Sequence, residues 1–164
     1  MITNRVEYLI LTLVDLAVRE GDEYVTSREV ADRQGIPPKY MPQIVSILTR
    51  KGWVDSMRGP RGGIRLAVNP EDLTVQDVID ATDDRLLVKQ CLDSDSECPR
   101  KESCPLRGIW LKAQQQVTSV MQGTTLSDLI SSRSLLGKQN RHPEAGDLPQ
   151  VLQEHDAQTH PHVD

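Results

Sequence analysis

The chain has 164 residues, of which 37% are hydrophobic and 26% charged, enough for one modest core. No apolar run approaches the roughly 20 residues that span a bilayer, and no apolar signal region follows Met1, so we expect a cytoplasmic protein without membrane contact. The net charge of -5 is unevenly distributed: residues 26–65 carry eight basic and three acidic residues, whereas residues 138–164 carry two basic and five acidic ones. A concentrated basic segment suits a polyanion such as DNA.

The first predicted element is an amphipathic helix. Apolar residues recur every three or four positions across residues 4–20, and Gly21 is the expected terminator. One face of this helix should therefore join the core. The residues of that face are Val6, Leu9, Ile10, Leu13, Val14 and Ala17.

A helix-turn-helix pattern follows. Thr26-Ser-Arg-Glu29 is a capping box that opens a short second helix, which stops at Gly35. After a turn formed by Ile36-Pro37-Pro38, a third helix runs to Gly52. Two short helices joined by a tight turn are typical of a helix-turn-helix. The inner face of the third helix is predicted to comprise Met41, Ile44, Val45 and Leu48.

Pro42 falls inside this third helix, where it removes a backbone donor and crowds the carbonyl of Pro38. The entry is then either a 3₁₀ or kinked turn, or the regular helix starts near Pro42 with Lys39 to Met41 as a preceding turn. The two alternatives point different side chains at a ligand.

Two β-favouring runs, Trp53-Val54 and residues 64–68, flank a glycine-rich basic stretch over residues 55–63. This pattern predicts a hairpin with an extended tip. A helix-turn-helix followed by such a hairpin is a winged helix, whose third helix can enter the major groove while the tip reaches phosphates or the minor groove. The predicted fold class is therefore mainly α with a small β-hairpin, namely a winged helix-turn-helix plus a long C-terminal dimerisation helix.

The outward face of the third helix and the wing carry side chains suited to DNA. Gln and Lys can hydrogen-bond base edges, while Tyr, Ser and Arg can fix register through phosphates. We therefore expect a double-stranded DNA operator as a partner. The predicted DNA-binding residues are Arg28, Lys39, Tyr40, Gln43, Ser46, Arg50, Arg58, Arg61 and Gly62.

The second half of the chain predicts three more helices. Thr74-Val-Gln-Asp77 caps a short one that carries Val75, Val78 and Ile79. An apolar stripe from Leu106 to Met121 predicts a long helix that seeks a partner surface, which suggests a homodimer. Thr125-Leu-Ser-Asp128 caps one or two further turns. The predicted organisation is a winged-helix DNA-binding domain at 1–82, a cysteine-rich cluster-binding loop at 83–104, dimerisation and terminal helices at 105–136 and a flexible tail at 137–164.

All three cysteines, Cys91, Cys98 and Cys104, lie on the polar loop before the long helix. An odd number of cysteines in a reducing compartment disfavours a disulfide framework. Soft thiolates bind iron–sulfur clusters, Zn(II) or Cu(I), and three leave one position of a four-ligand site open. All four histidines lie in the predicted tail. The fourth ligand is therefore either a tail histidine that folds back, or a carboxylate, a water, a small thiol or a group of a partner subunit.

These segments together resemble the winged-helix regulators typified by the iron–sulfur cluster regulator IscR and the nitric-oxide sensor NsrR, over about residues 1–135. The segments that carry the resemblance are Val6-Glu-Tyr8, Leu13-Val-Asp-Leu-Ala17, Ile36-Pro-Pro-Lys-Tyr40, Arg58-Gly-Pro-Arg-Gly-Gly63, the three cysteines and Thr125-Leu-Ser-Asp-Leu129.

The resemblance implies a homodimeric DNA-binding repressor or dual regulator with the long helix as the dimer element. It further implies that Cys91, Cys98 and Cys104 hold a [2Fe-2S] or [4Fe-4S] cluster, whose loss, oxidation or nitrosylation alters operator binding. In the IscR branch the fourth ligand is a histidine three residues beyond the third cysteine, where this chain has Arg107.

Other branches of the family use a different fourth ligand. In NsrR-like proteins it is an acidic residue near the start of the other subunit's first helix, and Glu7 stands at that position. A related redox regulator combines such a Glu with a histidine before the recognition helix, where this chain has Gln34. Glu7 of the other subunit is therefore the candidate fourth ligand.

Two alternatives stay open. The chain is then either a cluster-free winged-helix regulator with a zinc or redox-thiol site, or a winged helix used as a protein-interaction module. An enzyme is disfavoured, because residues 1–136 contain no histidine for acid–base chemistry and no phosphate-binding glycine loop after a parallel strand.

Overall fold

The computed structural model describes residues 3–19, 23–82 and 84–136, with side chains up to Ser132. Gly21 and the predicted tail with its four histidines lie outside the described residues. A mainly α fold with a small β-hairpin is confirmed. In chain order the elements are α1 (Asn4–Ala17), α2 (Ser27–Gln34), α3 (Met41–Arg50), β1 (Val54–Met57), β2 (Gly63–Leu66), α4 (Val75–Asp80), α5 (Arg107–Gly123) and α6 (Leu126–Leu136).

Helix α1 is the centre of the core. Leu9 and Leu13 are fully buried, and they pack in one cluster with residues of α2, α3, the hairpin and α6. A second, smaller cluster joins Val6 of α1 to α4 through Val75 and Ile79. The apolar spacing read from the sequence therefore identifies the buried face of this helix.

The predicted C-terminal end of α1 was wrong. The helix ends at Ala17, three residues before the predicted boundary, and Val18 forms its C-cap. The physical reason is that the apolar stripe stops there, since Val18 is 45% exposed and has no core to pack against.

Three helices begin with the same local device. The hydroxyls of Thr26, Thr74 and Thr125 each accept a hydrogen bond at 3.2 Å from the backbone N–H three residues later, and an acidic side chain there accepts from the threonine N–H. Such capping boxes satisfy backbone donors that the helix itself leaves unpaired. All three caps were predicted from the sequence, but α6, which the third one opens, is three turns long rather than the predicted one or two.

The start of α3 resolves the alternatives raised by Pro42. A 3₁₀ turn occupies Pro38–Tyr40, and the regular helix begins at Met41 with Pro42 in its first turn, where a missing N–H costs nothing. The inner face also differs from the prediction in part. Ile47 is buried at 5% exposure, whereas Val45 is only half-buried.

The hairpin of the wing has longer strands and a shorter tip than predicted, and a third segment of the chain pairs with it. β1 and β2 pair antiparallel from Val54 with Leu66 to Met57 with Gly63, so β1 takes in residues that were expected to form the tip. Val25 adds a third, single-residue rung on the other edge of β2, because Val25 and Ile64 exchange N–H to O bonds of 2.9 and 2.7 Å. The chain just before α2 thereby supports the hairpin.

Candidate DNA-binding surface and cysteine loop

The outward side of α3 carries an exposed polar row. Gln43, Ser46 and Arg50 recur at three- and four-residue spacing and are all exposed, as predicted from the helical period. They line an open groove together with Arg5 of α1 and Lys51, which follows α3. Two further cations therefore border the face that the sequence predicts to read DNA.

Sequence reasoning missed Arg5 and Lys51 as site residues. Arg5 is separated from α3 by more than thirty positions, so only the packing of α1 across α3 brings it to this groove. Lys51 was counted among the basic residues but was not assigned to the site. The signal that could have found it is its position next to Arg50 at the end of the helix.

Lys39 and Tyr40 lie in the 3₁₀ turn before α3. The Tyr40 ring packs against Tyr8 of α1 with ring centroids 5.4 Å apart, and the Lys39 ammonium lies 5.1 Å from the Tyr40 ring centroid. Tyr40 remains 39% exposed. This aromatic contact fixes the entry to α3 against α1 while leaving the Lys39 charge at the surface.

The wing tip presents two free cations. Arg58 and Arg61 are exposed, and neither forms an ion pair with any residue that the structure describes. The tip closes through the Gly62 N–H, which donates to the Gly59 carbonyl at 2.9 Å. A Cβ on Gly62 would lie 2.3 Å from the Met57 carbonyl oxygen, so this position requires glycine. Gly62 thus lies at the wing tip, and its role in DNA binding stays a prediction.

Not every cation of the basic segment is available to a ligand. Arg65 pairs with Asp55 across the hairpin at 3.2 Å and lies over the Tyr24 ring, while Arg33 is bound to Asp15. Arg28, in contrast, is exposed in the first turn of α2. The residues predicted to bind DNA are therefore among those that the intramolecular pairs leave at the surface.

Asp15 ties the helix-turn-helix to α1. It is 3% exposed and accepts bidentate bonds from Arg33 Nε and Nη2 at 3.1 and 2.6 Å, together with a 2.6 Å bond from Gln34 Nε2. Burial alone would raise the pKa of Asp15, but the hydrogen bonds from Arg33 and Gln34 and the positive charges of Arg33 and Arg19 lower it overall. This carboxylate therefore stays ionised and holds α2 in place.

The cysteine loop is built from short turns. Cys91 lies in a 3₁₀ turn at Gln90–Leu92, and the carbonyls of Cys98 and Cys104 accept N–H bonds of 3.0 and 3.2 Å from the residues three positions later. All three thiols are free and half-buried. Arg85 pairs with Asp93 and Asp95, so a charge contact closes the loop around the first thiol.

The donor set of this loop suits a thiophilic group, since three unpaired thiols stand within fourteen positions. Among the described residues, however, no group of three or more Cys, Asp, Glu or His side chains lies close enough together to hold a metal ion. A shared site for the three thiols therefore requires this polar loop to close further, which metal binding can drive.

The three positions at which relatives are expected to carry a fourth ligand fall on three different helices of this chain, α1, α2 and α5. Glu7 is exposed in the first turn of α1, and Arg107 is the half-buried first residue of α5. The Gln34 amide is occupied by Asp15. Of these three positions, only Glu7 carries an acidic side chain, and that side chain is exposed at the surface.

Helix α5 exposes apolar side chains along its length. None of its residues is buried, and Ile109 and Val120 are each 60% exposed. These two positions are eleven residues apart, which places them within about 20° on the helical wheel.

Within the described part of the chain, none of the helices is long and apolar enough to cross a membrane.

Comparison with known sequences reveals a consistent set of relatives. A family model named Rrf2, an iron-dependent transcriptional regulator, matches residues 2–132. Protein rrf2 of Nitratidesulfovibrio vulgaris is 32% identical over 137 residues, which cover 84% of this chain and 91% of that protein. The HTH-type transcriptional regulator IscR of Klebsiella pneumoniae is 27% identical over 144 residues, or 86% of this chain and 88% of its own.

Solved structures give the same picture. IscR of T. potens aligns with a TM-score of 0.61 and 26% identity over 81% of this chain and 88% of that one. CymR, the global cysteine regulator of B. subtilis, aligns with a TM-score of 0.65 and 26% identity over 80% of this chain and 97% of that one.

Proposed function

Because this chain belongs to the Rrf2 family of transcriptional regulators, we propose that it is a homodimeric cytoplasmic repressor whose binding to a DNA operator is controlled by an iron–sulfur cluster. The resemblance to IscR-type regulators is confirmed by these relatives. The same assignment confirms that the chain is a regulator rather than an enzyme.

DNA binding is supported by the placement of the free cations. Gln43 and Ser46 offer hydrogen-bonding groups at the surface of α3, while Arg5 and Lys51 border the same groove. Arg58 and Arg61 extend from the wing. A recognition helix in the major groove with cations at both margins fits the charge of a duplex, since phosphate contacts position and base contacts specify.

The observation that carries the cluster proposal is the set of three free, half-buried thiols on a loop directly before the exposed helix α5. Cys91, Cys98 and Cys104 would hold the cluster, and Glu7 of the partner subunit would supply the fourth ligand. When bound, the cluster would respond to oxidation, nitric oxide or the supply of iron. The loop directly precedes α5, the helix that is proposed to join the two subunits. A change in the cluster would therefore alter the spacing of the two wings, and with it DNA binding.

The first test is the visible absorption and circular dichroism spectrum of protein purified without oxygen, with iron and sulfide assayed on the same sample. We expect charge-transfer bands and matched iron and sulfide in the wild type, and their loss in Cys98→Ser. Glu7→Ala should change the spectrum or shorten the cluster lifetime, while Glu71→Ala, another exposed acid, should not. An unchanged cluster in Glu7→Ala removes this residue as a ligand.

Replacing Arg5 with alanine is expected to weaken DNA binding equally for operator and unrelated sequences, and to reduce the slope of log K against log salt by about 1. The physical reason is that a groove cation binds phosphate rather than a base edge. Fluorescence anisotropy over a salt series measures this slope. Lys112→Ala, which removes an exposed cation from α5, is the control, and an Arg5→Ala slope equal to that control places Arg5 outside the interface.

The exposed face of α5 is proposed to pack against a second copy of the chain. Ile109→Asp is expected to raise the dimer dissociation constant by roughly 100-fold, since a buried interface position would then carry an unpaired charge. Gln115→Asp, about 120° away round the helix, should have little effect. Sedimentation of the protein over a concentration series tests this, and equal dimer stability in the two variants contradicts a dimer through this face.

A cluster-free regulator is the second candidate, favoured by the structural similarity to CymR, whose name as a global cysteine regulator refers to no metal. Zinc or redox chemistry of the thiols would then provide the signal. A colourless protein that also fails to take up iron and sulfide on reconstitution would select this candidate.

A further inference from the structure

The cysteine loop is attached to α5 at two points. The first is covalent, because Cys104 lies three residues before Arg107, the first residue of α5. The second is the side chain of Gln114, about two helical turns further along. Gln114 reaches back across the sequence to the segment that precedes Cys91, so both ends of the loop are held by one helix.

The side-chain amide of Gln114 forms hydrogen bonds with the backbone of residues 86–88, and we call this contact the clip. Its Oε1 accepts the Val88 N–H at 2.9 Å, and its Nε2 donates to the Leu86 carbonyl at 2.7 Å and to Thr118 Oγ1 at 3.2 Å. A primary amide offers both a donor and an acceptor, so it can bind an N–H and a C=O of one extended segment at once. The bonds to Leu86 and Thr118 are partly buried, which limits competition from water for them, whereas the bond from Val88 is exposed.

The clip acts close to the first thiol. Cys91 is only three residues beyond Val88, and Leu86 is itself packed against the buried cluster of Val6, Val75 and Ile79. Movement of the 86–88 segment would therefore carry Cys91 with it. Cys104 moves with the start of α5. The contact of Gln114 with the segment therefore contributes to the distance between these two thiols.

We propose that Gln114 is a positioning residue for the cysteine site, which fixes the spacing of Cys91 and Cys104 by holding both on α5. The inference rests on the proposed function, which requires that Cys91 and Cys104 bind the same metal ion or cluster. Gln114 lies about 140° round the helix from Ile109, so it faces the loop while the exposed apolar face stays available to the second subunit. One rigid element thus connects the thiol spacing with the dimer.

The test compares Gln114→Ala with Gln115→Ala, a matched control in which the neighbouring, exposed glutamine is removed. Both are made in the full-length apo protein under anaerobic conditions. Hydrogen exchange of the Val88 amide is expected to be roughly 10-fold faster in Gln114→Ala than in the wild type or control, because one hydrogen bond is lost. Zn(II) affinity, measured by competition with a chromophoric chelator, should fall by about 10-fold or more, as for other residues that orient metal ligands.

Gln114→Glu supplies a graded variant, since it keeps the acceptor for Val88 but loses the donor to Leu86. Its Val88 exchange should lie near the wild type, with Zn(II) affinity between the wild type and Gln114→Ala. Equal Val88 exchange in Gln114→Ala and Gln115→Ala overturns the clip. Faster exchange with unchanged Zn(II) affinity overturns the positioning role. A wild-type protein that binds neither Zn(II) nor a cluster instead overturns the proposed function, and Val88 exchange then decides the clip alone.

Discussion

Replacement of Asp15 with alanine is expected to lower the free energy of unfolding by about 3 kcal/mol, and the melting temperature by roughly 10 °C. The variant leaves the Arg33 guanidinium without its carboxylate at the α1–α2 contact, and it also frees the Gln34 amide. The estimate is at the low end for a broken buried pair, because the Arg33 side chain is 35% exposed and regains some hydration. Urea denaturation followed by circular dichroism measures the change.

The control for this prediction is Asp32→Ala, which removes an exposed acid from the same helix α2 and should change stability by less than about 0.5 kcal/mol. A loss in Asp15→Ala no larger than in this control means that the network does not hold α2. Because α2 packs against α3, the proposed recognition helix, DNA affinity should fall together with stability in Asp15→Ala and stay unchanged in Asp32→Ala.

The pH dependence of stability provides an independent check on Asp15. Its pKa is lower in the folded protein than in the unfolded chain, so its contribution is fully present above the unfolded pKa and is lost as pH falls through the folded value. The wild type should therefore lose more stability than Asp15→Asn when pH is lowered from neutrality to below about 3. Parallel stability curves for the two proteins across this range contradict the assignment.

Replacement of Gly63 with alanine is expected to cost about 2 to 3 kcal/mol of stability and to weaken operator binding. A Cβ at Gly63 would lie 2.4 Å from the Val25 carbonyl oxygen and 2.6 Å from its carbon. Backbone atoms cannot swing aside as a flexible side chain can, so the rung between Val25 and Ile64 must open. Exchange of the Ile64 amide, which donates to Val25 at 2.7 Å, should accelerate in the variant.

Gly123→Ala is the matched control for the wing, since nothing lies within 4 Å of a Cβ added at that helical position. It should be neutral or slightly stabilising, because alanine favours the helix over glycine. If Gly63→Ala proves as stable as this control and binds DNA normally, the Val25 rung does not support the wing.

Much of the fold was predictable because its signals are local. The Thr26-to-Glu29 and Thr74-to-Asp77 caps bring together residues three positions apart, and the apolar spacing of α1 reports its buried face directly. The helix-turn-helix and hairpin follow from these signals in order. Local patterns were weaker at element ends, where the 45% exposure of Val18 depends on what lies beside it rather than on its neighbours in sequence.

The features of the candidate site likewise divide into those that local sequence predicts and those that depend on tertiary contacts. The sequence by itself determined the three thiols and their spacing, the outward row of Gln43, Ser46 and Arg50, and the cations of the wing, because residue type and helical period suffice for these. Only the tertiary structure decided which groups meet across long separations. It brings Arg5 to the α3 groove, the Val25 rung to the hairpin and Gln114 to the segment before Cys91. A polar loop contains no apolar periodicity to encode such contacts, so its conformation is set by the helix against which it lies.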